Sequence, residues 1–314
     1  MHQQWQDFLK NYTHHTQIFK EQSIVNLSEL GLLCVEGIDA KQFLQGQLTC
    51  DLNQITLTQT RLGAYCNIQG RVTCVFRLFY YQERYYLQMP KSMVSIILEI
   101  FKKYAVFFKV TLSDASDSFI CIGYNGNQLQ DAISNIPNHI DEIIESDNLL
   151  ILKLINHFEI FGQLAPICTL WDKLMVKNHY IPSESWKYLA FKENRPTVYP
   201  ETSGQFLPHD INLPQLNAIS FNKGCYMGQE IIARMHYKGK LKNQLYYARV
   251  VTEHLPQRGA DIYDEEKNAG MIVDYYKTGD HTYILQIIAM KAHDLFLDQN
   301  KLFPLHAIDN PPQG

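Results

Sequence analysis

At 314 residues the chain is long enough for two or three domains, and its 46% hydrophobic and 19% charged content is that of a globular protein. A formal net charge of -4 excludes a generally basic nucleic-acid binder while leaving room for a local basic patch. Its seven cysteines, at 34, 50, 66, 74, 121, 168 and 225, are odd in number, scattered and without a C-x-x-C, which argues against a disulfide framework or a self-contained zinc or cluster site. Met1 to Glu21 has no apolar core of a signal peptide, and the most apolar window, Met93 to Val110, is broken by Glu99, Lys102 and Lys103. The expectation is a cytoplasmic protein with no membrane partner.

In chain order, Leu32–Glu36 reads as a short strand. Asp39 and Gln42 have capping-box spacing before a helix whose face carries Phe43, Leu44 and Leu48. Strands are expected at Arg61–Cys66 and Val72–Tyr80, joined by a turn at Asn67–Gly70, and again at Tyr85–Met89. Pro90 and Ser92 open a helix with Met93, Ile96, Ile97, Ile100 and Phe101 on one side, and Ala105–Leu112 reads as a strand. After a polar connector at 113–118 come a strand at Phe119–Gly123, a helix at Asn127–Ile136 and a loop whose Asp141, Glu142, Glu145 and Asp147 read as a solvated surface. Strands at Leu149–Ile155 and Phe158–Gln163 lead to a helix at Thr169–Lys177, and Ser183 caps another that carries Trp186, Leu189 and Ala190. From Gln244 onward short strands predominate, and Pro311–Gly314 is expected to fray.

These periodicities give an α+β fold: two β-α-β-β-α-β, ferredoxin-like units at roughly 24–113 and 114–240, then a small β-barrel over 241–314. No residue-level repeat links the two units.

The most informative stretch is Phe221-Asn222-Lys223-Gly224-Cys225-Tyr226-Met227-Gly228-Gln229-Glu230. Past Gly228, the spacing of Ile231, Ile232 and Met235 predicts a short helix closed by Gly239. Cys225 then sits in a turn ahead of a helix N-terminus, where the dipole and Lys223 favour a thiolate. A lone cysteine is otherwise a small buried hydrophobe, and both readings stand at this point. Glu230 and Arg234 have i, i+4 pairing geometry. From Phe221 to Gln244 the charges are Lys223, Arg234, Lys238, Lys240 and Lys242 against Glu230 alone. This basic stretch is either a solvated helix end or a contact for RNA phosphates or a polyglutamate tail. The histidines include one close pair, His14-His15, without a ligand pattern around it. Walker, G-x-S-x-G, H-E-x-x-H and G-x-G-x-x-G motifs are all missing.

Lys-Gly-Cys-Tyr-x-Gly-Gln-Glu, with an arginine four residues on, resembles the signature of the YgfZ family, folate-binding proteins related in fold to the glycine-cleavage T-protein. Phe43–Asp51, Asn67–Arg71, Ser203–Pro208 and Asn212-Leu213 resemble further segments of that family. The resemblance implies three parts around a central cavity, tetrahydrofolate as cofactor, and a role in iron–sulfur cluster assembly or repair that supports tRNA modification. It implies Cys225 as the reactive group with Lys223 setting its charge, and Gln45, Asp51, Arg71, Gln205, Phe206, Tyr226, Gln229, Glu230 and Arg234 around the folate, without a bound metal. Implied partners are iron–sulfur assembly or client proteins and tRNA, the latter through 234–242.

Two departures bear on chemistry. The T-protein has paired acids after the Asn67–Arg71 turn, where this chain has Cys74 and Val75, which argues against the aminomethyltransferase reaction. The family glutamate that reads the pterin aligns with Lys192, and Glu193 is adjacent. The remaining alternatives are an aminomethyltransferase or a non-catalytic RNA- or protein-binding adaptor.

Overall fold

The computed structural model describes residues 1–13, 22–239, 242–291 and 293–305. His14-His15, Lys240 and Pro311–Gly314 lie outside the described residues. Contacts divide the chain into two compact units, each assembled from several runs of sequence: 1–43, 52–61 and 76–186 in the first, 44–51, 62–75 and 187–314 in the second.

The elements of the first unit begin with helix α1 (His2–Leu9), strands β1 (Ser23–Asn26) and β2 (Leu30–Glu36), and helix α2 (Ala40–Gln47), whose last turn belongs to the second unit. Next in the chain come β3 (Arg61–Cys66), which belongs to the second unit from Leu62 on, β4 (Val72–Tyr81), which enters the first unit at Phe76, β5 (Arg84–Pro90), α3 (Lys91–Ala105), β6 (Thr111–Asp114) and β7 (Ile120–Asn125). Then follow β8 (Ile143–Ser146), β9 (Leu149–Lys153), β10 (Phe158–Gly162), α4 (Leu164–Met175), β11 (His179–Tyr180) and α5 (Ser183–Lys192).

One sheet of the first unit has the order β11-β1-β7-β10-β9-β8. Period-two alternation explains its placement. Ile122, Ile151 and Ile160 turn toward Trp5 of α1 and Trp171 of α4. The neighbouring Leu150, Leu152 and Phe161 turn the other way, onto Leu32, Cys34, Phe79 and Tyr86 of the antiparallel run β4-β5-β2-β6. Helix α3 covers that second sheet's far side with Met93, Val94, Ile97 and Phe101. Burial on both faces is why β2 is buried from Gly31 to Val35 without a break.

Local expectations fail here where a longer-range partner wins. Asp39 does not close a capping box; its carboxylate accepts the N–H of Lys109 at 2.8 Å. Helix α3 runs on to Ala105, and the expected strand shrinks to Thr111–Asp114 because Val106–Val110 turns back over α2. The expected helix at 127–136 is one 3-10 turn, Leu129–Asp131, and α4 starts five residues early, at Leu164. The acidic loop is a bonded structure: Asp141 pairs at 2.5 Å with Arg77, which is nearly buried, and Glu142 accepts the N–H groups of Asn138 and His139.

The second unit contains the β3–β4 hairpin end, the loop from 193 to 228 and helix α6 (Gln229–Lys238). It ends with β12 (Gln244–Val251), β13 (Asp261–Asp264), β14 (Lys267–Gly279), β15 (Thr282–Ala289), β16 (Phe296–Leu297), β17 (Asn300–Lys301) and β18 (Phe303–Leu305). These form a nearly closed, barrel-like sheet of order β17-β16-β13-β14-β15-β12-β18. Register shifts at Ile262/Tyr263, Ile272/Asp274 and Lys277/Gly279 supply the bends that let so short a sheet curl.

Candidate functional site at the cysteine loop

The loop from Phe221 to Gly228 is fastened to its surroundings by backbone groups. Gly228 caps α6 at φ +79, and a Cβ there would come within 2.5 Å of the Asn67 carbonyl oxygen. Gly70, at φ +70, leaves room for Ile231 in the same way. Glycine is required at both places, since a side chain would separate the 67–70 turn from the start of α6. Asn67 holds that turn by accepting the N–H groups of Gln69 and Arg71, each at 3.0 Å.

Lys223 carries the main tie. Its Nζ donates to the carbonyls of Gln45 (2.7 Å), Leu48 (2.8 Å) and Cys50 (2.9 Å). These are the carbonyls at and just past the C-terminal end of α2, where helix geometry leaves acceptors unpaired and the dipole favours a cation. The Met227 N–H adds a bond to the Gly46 carbonyl at 3.2 Å. Burial lowers the ammonium to about 8, against the pull of Cys50 and Asp51, which favour its charge. The lysine's three donors are spent on carbonyls, and the acidic groups it faces are Cys50 and Asp51. Its structural role is thus to fasten the loop to the end of α2.

Cys225 itself is exposed, and so are its neighbours Gly224 and Asn222. It precedes the Gly228 cap by three residues. The first turn of α6 is closed locally: Gln229 Oε1 accepts the Tyr226 N–H at 3.3 Å and the Gln229 N–H donates to the Tyr226 carbonyl at 3.2 Å. Cβ atoms built on Gly46 or Gly224 would meet nothing within 4 Å. Gly46 is thus not required by tight packing; its Cα borders open space beside the cysteine loop.

Among the other expected site residues, Gln45 donates to Asp51 at 2.9 Å, so the two side chains form one amide–carboxylate unit at the end of α2. Arg71 is exposed and donates to the Gln205 carbonyl at 2.5 Å, and its charge favours the ionised form of Asp210 against the effect of burial. Phe206 is fully buried with Val198, Ile211, Leu213 and Ile232, and so belongs to the core rather than to an open binding surface. Tyr226 is buried beside Lys223 and Cys66, its hydroxyl without a hydrogen-bond partner and its pKa pushed well up by burial. Glu230 and Arg234 are both exposed on α6, and no ion pair joins them. Lys192 points outward over the Tyr188 ring, while the Glu193 side chain is the inward one, 3.6 Å from Arg195. Cys74 and Val75 are both buried.

Two contributors escape sequence reasoning. Thr49, fully buried, donates to the Ala218 carbonyl at 2.7 Å and accepts the Ala64 N–H at 2.9 Å, joining three segments. Phe221, His236, Tyr237 and His209 form a ring cluster that the charge count over this stretch conceals. Among the described residues no group of three or more His, Cys, Asp and Glu side chains is placed to hold a metal ion, and no helix is long and apolar enough to cross a membrane.

No protein-family model matches the chain. It is 32% identical over 287 residues to a tRNA-modifying protein YgfZ of Colwellia psychrerythraea, covering 88% of this chain and 87% of that one. The chain belongs to the YgfZ family. A second YgfZ, from Buchnera aphidicola, is 32% identical over 303 residues, with 92% of each chain covered. The fold of this YgfZ-family chain is that of the glycine-cleavage aminomethyltransferase T of Bartonella henselae, with a TM-score of 0.73 at 16% identity over 96% of this chain and 88% of that one.

Proposed function

We propose that this YgfZ-family protein binds a reduced folate beside Cys225 and supports iron–sulfur cluster assembly or repair in the cytoplasm, and through it tRNA modification. The observation that carries the reading is the cysteine loop itself. Lys223 ties it to the end of α2, where Gly46 borders open space, and the same loop carries the exposed thiol of Cys225.

The Gln45–Asp51 pair places an amide beside a carboxylate at the end of α2, the group types that recognise a ring edge carrying both donors and acceptors. Gln45 and Asp51 would hold the ring, with Arg71 available to an anionic tail. Reduced folate, when bound, supplies nitrogens able to carry a one-carbon unit. Cys225 holds the nucleophilic sulfur at the mouth, and Lys223 keeps its loop in place. The aminomethyltransferase alternative lacks support at Cys74 and Val75, which are buried and carry no carboxylate. The protein partners are the enzymes whose clusters are served, and the exposed face of α6 is the proposed contact for tRNA.

Complementation of a bacterium lacking its own YgfZ tests the proposal, with tRNA thiolation as the readout and Cys225→Ala beside the wild type. Calorimetric titration with tetrahydrofolate is run on both proteins. Wild type is expected to restore thiolation and bind folate, and Cys225→Ala to bind folate without restoring thiolation. Full rescue by Cys225→Ala removes the thiol from the mechanism, and absence of heat with wild type removes the folate.

A further inference from the structure

The exposed face of α6 carries an aromatic feature that neither helix stability nor the cysteine loop accounts for. Tyr237 is 68% exposed. Its ring is nonetheless held from behind, edge-on to His236 with centroids 4.9 Å apart and planes at 79°. His236 lies flat on Phe221 at 3.8 Å and 16°. Behind this stack is His209, buried, its centroid 5.8 Å from that of His236, with neither ring nitrogen hydrogen-bonded. An exposed tyrosine usually samples several rotamers; one braced by a ring stack on a helix gives up little further freedom when something stacks on it.

The cations around it share the face. Arg234 and Lys238 stand at i-3 and i+1 from Tyr237 and are i, i+4 neighbours of each other. Both are exposed, and neither is in an ion pair. Lys242 lies just beyond and is also exposed. The single acid of α6, Glu230, sits at the helix's opposite end. In a chain of net charge -4 this is a local reversal of sign. A cation near a helix C-terminus accounts for Lys238 by itself, but not for Arg234, which lies mid-helix, nor for the aromatic ring between them.

We infer that Tyr237 is a stacking platform for an unpaired nucleobase of tRNA, with Arg234 and Lys238 on the flanking phosphates. This rests on the proposed tRNA contact and names the residues that make it. Base stacking on an aromatic ring combined with phosphate-directed cations is how single-stranded nucleic acid is held without sequence readout. A lipid surface would call for aliphatic side chains beside the ring, and the exposed neighbours on α6 and at its end are Arg234, His236, Lys238 and Gly239.

Fluorescence anisotropy with the full chain tests the inference, using unmodified tRNA, a labelled oligouridylate and an RNA duplex of equal length, each over a salt series. Tyr237→Ala is expected to weaken oligouridylate binding at least tenfold and Tyr237→Phe to retain it. Arg234→Gln with Lys238→Gln is expected to flatten the salt dependence by about 0.7 per lost phosphate contact. The duplex is expected to bind more weakly than the single strand. Thermal unfolding of the variants should match wild type, because these side chains are exposed. If tRNA binds but none of these substitutions changes affinity, the platform is wrong while the tRNA contact stands. If Tyr237→Ala binds like wild type and polyglutamate competes as well as RNA, the face recognises charge alone and the inference falls. If no RNA binds even at low salt, the tRNA contact itself is withdrawn.

Discussion

A single ammonium holds the cysteine loop, through acceptors that its spacing in the sequence does not reveal. In sequence, Lys223 is two residues from Cys225 and reads as an electrostatic partner of the thiol. In space it is a helix cap supplied from far along the chain, joined to three carbonyls between Gln45 and Cys50. Spacing could not reveal this, because the acceptors are backbone groups and leave no residue signature. Lys223→Ala should therefore lower stability by about 2–3 kcal/mol in urea unfolding, through partly buried carbonyls left without a donor. The titration carries its own sign. With the folded value lowered to about 8 from 10.5, the unfolded chain binds more protons between those limits, so this residue makes stability rise with pH across that window. A carbon-13 NMR titration of the lysine side chains should show one resonance with a midpoint near 8 that is missing in Lys223→Ala. If every lysine titrates near 10.5, the burial assigned to Lys223 is wrong.

At the scale of elements, the glycines around the site separate into two kinds that sequence alone treats alike. Gly70 and Gly228 hold left-handed backbone and face each other's segments at contact distance, whereas Gly46 and Gly224 border open space. Gly228→Ala should cost about 2 kcal/mol or more, from strain at φ +79 and from a Cβ driven against the Asn67 carbonyl. Gly46→Ala, in the last turn of α2, should be neutral or stabilising by up to about 1 kcal/mol, since alanine is the better helix former. The pair discriminates further in a folate titration: Gly46→Ala places a methyl in the proposed pterin space and should weaken binding while leaving stability intact. Equal losses of stability in the two variants would refute the distinction. Strands and helices with a clear period, such as β9, β10 and α6, were legible in the sequence because their periodicity coincides with their buried face. The segments at 105–112 and 127–136 were not, because a turn over α2 and a short loop replaced the regular element that local propensity favoured. The cysteine loop is legible as a motif, but its fastening and the ring cluster on α6 are made by residues distant in sequence.

For the whole molecule, the change of pattern near residue 240 falls inside one compact unit made of 44–51, 62–75 and 187–314. The core that holds Phe206, Tyr226 and Ile232 also contains Val273 and Ile288, with Leu245 and Met271 packed against it. These last four side chains come from β12, β14 and β15, so the barrel-like sheet closes the same apolar cluster that positions the cysteine loop. A sequence reading places the change at 241 because strand periodicity begins there, yet burial is shared across it. A chain ending at residue 240 would expose that cluster, at a cost of roughly 1.5–3 kcal/mol for each large apolar side chain returned to water. Such a fragment should therefore have a disordered cysteine loop. Hydrogen exchange followed by mass spectrometry checks this: amides at 219–238 are expected to be protected in the full chain and to exchange near the unfolded rate in residues 1–240. Equal protection in both would mean that the cysteine loop and α6 fold without the C-terminal strands, and that the boundary at 240 is a true one.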